Sequence, residues 1–142
     1  MPQSVLVFYT RRPDFTPEQF RAYMEEVHVP LIKDVMEPHF PLTYTLRYVV
    51  RVDSGAGDRL GLPTASKKRA SPDAPVVLVG SPSDLEWDAM GEMVFRDELH
   101  VQQGLATINN PNGQRVKEDE EVFTIPDKLR VVLMGEIKPF NN

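Results

Sequence analysis

The chain has 142 residues, 41% of them hydrophobic and 26% charged, with a formal net charge of −5 and no cysteine. That length suits one domain spanning residues 1–142 with a real core and leaves too little chain for two. The acidic balance argues against a surface built for nucleic acid or an anionic membrane, and the missing cysteine excludes disulfides, thiolate nucleophiles and cysteine-bound metals.

Val5, Val7 and Tyr9 alternate with Leu6, Phe8 and Thr10, a β-branched and aromatic run that ends at Arg11-Arg12-Pro13 and predicts a first strand. Thr16-Pro17-Glu18-Gln19 is a helix start: Thr16 can cap, Pro17 suits the first helical position and Gln19 completes a capping box. Phe20, Tyr23, Met24 and Val27 then recur at helical spacing, and Leu31, Ile32, Val35 and Met36 continue the apolar stripe to Pro38 and Pro41. Between them stands Val27-His28-Val29-Pro30-Leu31. Pro30 biases Val29 away from the α region, so a kink is expected at His28, from which its side chain can leave the helix face for a cavity. With only three histidines, acid–base chemistry near neutral pH has few carriers. The competing reading makes His28 a packing residue with a satisfied ring nitrogen.

Thr43 to Val52 reads as the next strand, with Tyr44, Leu46, Tyr48 and Val50 on one face and Thr45, Arg47, Val49 and Arg51 on the other. Asp53 to Pro75 reads as a long loop carrying the basic cluster Lys67-Lys68-Arg69. Its length points either to a lid over a pocket or to a surface insertion. Trp87 to Phe95 is expected as the third core strand and Pro75 to Gly80 as a short edge or lid element. Asp97 can cap a helix through Glu98, His100 and Leu105 to about Asn109. Asn110-Pro111-Asn112-Gly113 marks a break. An acidic helix follows from about Gln114 to Phe123, and Lys128 to Ile137 supplies the last strand. The order β-α-β, β-α-β predicts an α+β fold with an antiparallel sheet and helices on one face.

No glycine pattern leads a strand into a helix, so a nucleotide cradle is not supported. The histidines are scattered, without metal-ligand spacing. Lys117-Glu118-Asp119-Glu120-Glu121 reads as a solvated helix face from which one carboxylate can turn inward. No stretch reaches the roughly 20 apolar residues of a membrane span, and MPQSVLVFYTRR lacks the apolar run of a signal peptide. A cytoplasmic setting is expected.

Two sets of segments resemble the EthD family of the dimeric α/β-barrel superfamily. One runs from Tyr9-Thr10-Arg11-Arg12-Pro13 through Thr16-Pro17-Glu18-Gln19-Phe20 into Tyr23-Met24-Glu25-Glu26-Val27-His28-Val29-Pro30-Leu31, like the family's helix followed by His-x-Pro-Leu. The other comprises Trp87-Asp88-Ala89-Met90, Phe95-Arg96-Asp97-Glu98, and Glu118-Asp119-Glu120 leading to Phe123, like the family's Asp-Glu-x-x-Phe signature. Met24 stands where family members often carry tryptophan, and the stretch from 53 to 75 is longer than in compact members. The resemblance implies a ferredoxin-like subunit with a four-stranded antiparallel sheet that pairs with a twin as a dimeric α/β barrel. It is nearest in flavour to fungal polyketide members, which include dehydratases, cyclases and decarboxylases of aromatic polyketides without an organic or metal cofactor.

The expected chemistry is cofactor-free dehydration or cyclisation of an aromatic polyketide by a homodimer. His28 is the first candidate for proton abstraction and Tyr9 for bonding an enolate or phenolate oxygen. Asp88 or Asp119 would orient the histidine or act as the acid, with His39 and His100 as second-rank candidates. Phe8, Tyr23, Phe40, Tyr44, Tyr48 and Trp87 offer flat walls for a ring system, with core packing as the alternative for each. Decarboxylation is a second fate, for which Arg47 or Arg51 would hold a carboxylate; oxygenation of an anthrone is a third. A non-catalytic small-molecule binding protein would keep the aromatic walls without a hydrogen-bonded His28 beside an open cavity.

Overall fold

In a computed structural model that describes residues 1–61 and 71–142, the strands β1 (Gln3–Tyr9), β2 (Thr43–Tyr48), β3 (Ala89–Phe95) and β4 (Arg130–Met134) form one sheet in the order β2-β3-β1-β4. Every pairing is antiparallel, with Tyr9 opposite Ala89, Val7 opposite Gly91 and Val5 opposite both Met93 and Leu133. Helices α1 (Pro17–Tyr23) and α2 (Val29–Met36) connect β1 to β2; α4 (Glu98–Asn109) and α5 (Gln114–Phe123) connect β3 to β4. This is the ferredoxin-like β-α-β-β-α-β arrangement. No described helix is long and apolar enough to cross a membrane.

The period of two along β1 sorts the sheet into two faces. Val5, Val7 and Tyr9 are buried against Ile32, Val35 and Met36 of α2 and Val116 and Phe123 of α5. Leu6 and Phe8 point the other way and are only half-buried, as are their neighbours Met90 and Val94. No element among the described residues covers that second face: Val132 and Met134 of β4 are each 42% exposed.

The first helical segment forms as its capping signals require. The Thr16 side chain accepts from the Gln19 amide, and the Gln19 side chain accepts from the Thr16 amide. The kink expected at His28 is absent. Val29 keeps α geometry at φ −63° and ψ −44°, and its N–H reaches back five residues to the Met24 carbonyl. Met24–His28 is therefore one wide π turn joining α1 to α2. The turn lies directly before the proline, where a missing N–H and a ring clash would otherwise distort the ladder. It also sets the phase of the whole segment. Phe20, Met24, His28, Ile32 and Met36 are all buried at a spacing of four. In an ideal helix each such step drifts by about 40°, and the extra residue in the wide turn absorbs part of that drift. His28 is thereby held inward at 0% exposure, while Val27, expected on the apolar stripe, is turned out to 42%.

β2 stops at Tyr48 instead of running to Val52. Beyond it the backbone pairs with the far end of the insertion: Val76 N–H donates to Val50, Val52 N–H to Ala74 and Asp53 N–H to Pro72. The stretch after Asp53 is also not all loop, since Val52–Ser54 forms a 3-10 turn and α3 (Ala56–Arg59) a single helical turn, joined at Gly55 with φ +79°. Lys67-Lys68-Arg69 lie outside the described residues. The Pro75–Gly80 edge element reduces to one bridge, Arg51 to Pro75.

The phase set by the wide turn is testable by urea unfolding. Val27→Ser should change stability by no more than about 0.5 kcal/mol, as an exposed position allows. Met24→Ala, three positions away on the inward line, should cost about 2–5 kcal/mol.

Candidate active site

A cavity of about 370 Å³ lies between the sheet and helices α2, α4 and α5. Val5, Val7 and Met93 form its floor; Ile32, Met36 and Val116 are among its walls. Its wall is mainly apolar, with Tyr9 and Glu120 as the polar side chains inside and Lys117 and Glu121, both exposed, at its rim.

His28 stands behind Tyr9 and Glu120. Its Nδ1 is 2.8 Å from Asp119 Oδ2, and the other carboxylate oxygen of Asp119 accepts from the Tyr23 hydroxyl at 2.5 Å. A carboxylate only accepts, so Nδ1 carries a proton and Nε2 is the position free for chemistry. Nε2 is buried with no hydrogen-bond partner among the described residues, and Glu120 Oε2 is 3.7 Å from it. The imidazole ring is fixed on its flanks by Phe123 at 4.9 Å and by the edge of Tyr9 at 5.9 Å between ring centroids.

α5 supplies this arrangement through helical spacing. Val116 and Phe123 are buried, and Asp119 and Glu120 lie between them on the same inward stripe, their side chains each 12% exposed. Lys117, Glu118 and Glu121 face outward. The acidic run therefore turns two carboxylates inward where sequence reasoning allowed for one. Glu120 is the residue it missed, although the i, i+3/i+4, i+7 pattern from Val116 to Phe123 was there to read.

Tyr9 meets the hydroxyl of Tyr44 at 2.5 Å. Burial, then the neighbouring phenol, pushes the Tyr9 hydroxyl well above its ordinary value, and burial does the same to Tyr44. Tyr23 is pushed up to about 12 by burial and by its bond to Asp119. Tyr23 thus serves as a clamp on the carboxylate, not as the ring wall expected of it.

Several other expected site residues lie elsewhere. Asp88 accepts from the Arg11 amide and from the Arg51 guanidinium, both at 2.6 Å, and its carboxylate is spent there instead of orienting His28. Arg51 is consumed by the same contact, and Arg47 is exposed on the far face of the sheet, so neither is placed to hold a carboxylate in the cavity. His100, a second-rank catalytic candidate, is 3% exposed. Its Nδ1 accepts from the Arg96 amide and its Nε2 faces the carbonyls of His39 and Phe40 at 3.2 Å, which ties the start of α4 to the turn after α2. His39 takes part through its backbone. Phe8 and Trp87 pack with tilted rings, 5.2 Å between centroids, on the sheet face turned away from the cavity. Phe40 packs against Tyr44 at 6.5 Å, and Tyr48 lies against Phe20 and beneath Arg21. None of the described residues between 53 and 75 lines the cavity. The insertion leaves the sheet at its β2 edge, whereas the cavity reaches β4 through Val131.

The family described as EthD domain matches residues 12–127. No curated protein sequence is significantly similar to the chain. Among solved structures, an EthD family protein of Bacillus halodurans C-125 is 17% identical, with a TM-score of 0.56 over 96% of this chain and 100% of its own. An EthD-like protein of Ralstonia eutropha JMP134 is 15% identical, with a TM-score of 0.54 over 94% and 87%. SnoaB, a cofactor-independent oxygenase of Streptomyces nogalater, is 11% identical in a variant form, with a TM-score of 0.53 over 99% and 98%. At these identities the likeness concerns the fold.

All four tyrosines hold their protons beyond the ordinary value of 10.0. The unfolded chain gives up phenol protons first, so the stability this contributes is complete below about pH 10 and falls as pH rises toward 12. Near-ultraviolet titration should show almost no tyrosinate in the native protein at pH 10 and about half ionisation in concentrated urea.

Proposed function

The chain belongs to the EthD domain family, and from that premise we propose that it is a cofactor-independent enzyme that dehydrates or cyclises an aromatic polyketide intermediate by general acid–base catalysis. The observation that supports this reading is the line Asp119–His28–Glu120 against an apolar cavity, with His28 Nε2 buried and unpartnered. A cavity of about 370 Å³ lined by aliphatic side chains suits a fused ring system.

In the proposed reaction the base removes a proton from a carbon beside a carbonyl. Glu120 reaches the cavity wall and His28 backs it, so the proton passes to the pair and comes to rest between Nε2 and the carboxylate. Tyr9 donates to the carbonyl oxygen as it becomes an enolate. The enolate then re-forms its carbonyl and expels a β-hydroxyl group. That group takes the proton back from the pair and leaves as water, and the enzyme returns to its starting state. Base, acid and oxyanion donor are all side chains of this protein. In cyclisation the same enolate carbon attacks a second carbonyl, whose oxygen receives the proton.

A second fate is open to the same anion. SnoaB, whose fold the chain shares, is a cofactor-independent oxygenase, and a substrate carbanion can reduce dioxygen directly. The pairing of Glu120 with Nε2 favours elimination, because oxygenation needs only the base whereas loss of water needs the proton returned. Decarboxylation has less support, since Arg47 and Arg51 are both placed away from the cavity. A purely binding role would not call for Nε2 of His28 to stand beside the Glu120 carboxylate at the cavity wall.

The test is mass measurement after incubation with hydroxylated cyclic ketones and anthrones. Loss of one water, or an isomer of unchanged mass, is expected; gain of oxygen would move the reading to the second fate. A panel left wholly unconverted would sink it. His28→Ala should stay folded by circular dichroism while turnover falls by roughly 10²-fold or more, and Glu120→Gln should follow it.

We also propose a homodimer closed through the uncovered sheet face, where Leu6, Phe8, Met90, Val94 and Val132 present apolar surface. Light scattering at micromolar concentration should give twice the chain mass, and a monomer would count against this assembly.

A further inference from the structure

We propose that Tyr44 acts through Tyr9: Tyr44 donates to the Tyr9 oxygen, Tyr9 turns its own proton into the cavity to hold an oxyanion, and Gly91 is the residue that lets the two meet. The inference deepens the proposed acid–base reading and rests on it for the identity of the cavity.

The first argument counts protons. The two hydroxyls lie 2.5 Å apart, and each has the other as its hydrogen-bond partner among the described residues. A pair of phenols carries two protons and one mutual bond uses one of them. One donor is left over in a buried place, where an unused donor is costly unless a ligand accepts it. Tyr9 lines the cavity and Tyr44 does not. The spare proton therefore meets a substrate only if Tyr9 carries it, which makes Tyr44 the donor within the pair.

The second argument is steric. Tyr9 is on β1 and Tyr44 on β2, and β3 lies between those strands. The two hydroxyls can meet only by crossing β3, where Gly91 is the cross-strand partner of both Val7 and Leu46. A Cβ on Gly91 would stand 2.4 Å from Cε1 of Tyr44 and 2.8 Å from its hydroxyl oxygen. The backbone at Gly91 is ordinary, since the glycines with positive φ are Gly55, Gly61 and Gly80. Glycine is therefore needed there for room and not for conformation. The room is filled by a single ring whose polar end reaches Tyr9.

The third argument is electrostatic. A donor whose oxygen is itself hydrogen-bonded gives its proton more strongly to a neighbouring anion, and a water-poor wall raises the value of that bond. The titratable groups around the pair are His28, Glu120 and Tyr48. His28 and Glu120 receive the substrate proton in the proposed reaction, so the negative charge facing the oxyanion is reduced as the oxyanion forms. The substrate class this selects is a ketone or phenol whose oxygen becomes anionic within reach of Tyr9. Tyr44 and Gly91 are positioning residues, and Tyr9 is the group that touches the substrate.

The test uses a nitro-substituted naphthol as the probe, with its ionisation followed by absorbance across a pH series. Wild-type protein should bind the naphtholate better than the naphthol and lower the pH at which the bound probe ionises. Tyr44→Phe should cut naphtholate affinity by about 10-fold while leaving the affinity for naphthalene, which has no hydroxyl, unchanged. Gly91→Ala should behave like Tyr44→Phe, and the double variant should lose no more than either. If Gly91→Ala fails to fold, Tyr44→Phe alone decides. His28→Ala should lose turnover yet keep the preference for naphtholate, which separates this inference from the acid–base reading. An unchanged naphtholate preference in Tyr44→Phe overturns it, as does a wild-type protein that binds the two forms equally.

Discussion

A histidine with no exposure at all must find its partners inside the protein, and the hydrogen bond from His28 to Asp119 is the constraint on which this structure turns. The two residues are 91 positions apart. Joining them fixes how α5 is rotated against the first helical segment, and so which of its five consecutive charged residues face inward. Asp119 is held in turn by Tyr23, one helical turn before His28, so the carboxylate is gripped from two points of the same segment. Once α5 is locked in that rotation, Glu120 has one place to go, which is the cavity wall beside Nε2.

The wide turn at Met24–His28 makes the bond possible. A regular helix through Pro30 would carry the inward line away from the sheet, and Val27 would take the place of His28 against it. The single extra residue trades an apolar side chain for an imidazole at the centre of the core. Such a turn costs backbone regularity, and here it places the imidazole behind Tyr9 and Glu120, the two polar side chains that line the cavity. Across the cavity, the sheet makes a matching concession at Gly91, where a missing side chain admits the ring of Tyr44.

Just beyond Tyr9, at the same end of β1, a second group of polar side chains is organised differently. Asp88 is bound by Arg11 and Arg51, and Asp73 joins the same cluster through Arg11. These ions close the end of the sheet and fasten both roots of the insertion to it, because Arg51 precedes the insertion and Asp73 ends it. The Asp88 carboxylate takes the Arg11 amide on one oxygen and the Arg51 guanidinium on the other, with the Arg11 guanidinium 3.8 Å away, so its charge is compensated where it stands, away from His28. Asp88 belongs to the family-like segment Trp87-Asp88-Ala89-Met90, but its charge partners give it a structural task.

Elements governed by neighbours in the chain were legible without the fold. The Thr16–Gln19 capping box, the Asp97 cap on α4, the limits of α5 and the alternation of β1 all depend on contacts within a few residues, and they form where the sequence places them. His28 and Asp119 could be named as candidates because their residue types and motif segments are visible. What only tertiary structure decided was phase and partnership: the π turn that sends His28 inward and Val27 outward, the second inward carboxylate at Glu120, the end of β2 at Tyr48, and the passage of Tyr44 over Gly91 to Tyr9. Each of these depends on which distant surface lies opposite a side chain. Local sequence carries the period of a helix or strand, but the rotation of one element against another is set by burial and hydrogen bonding across the core.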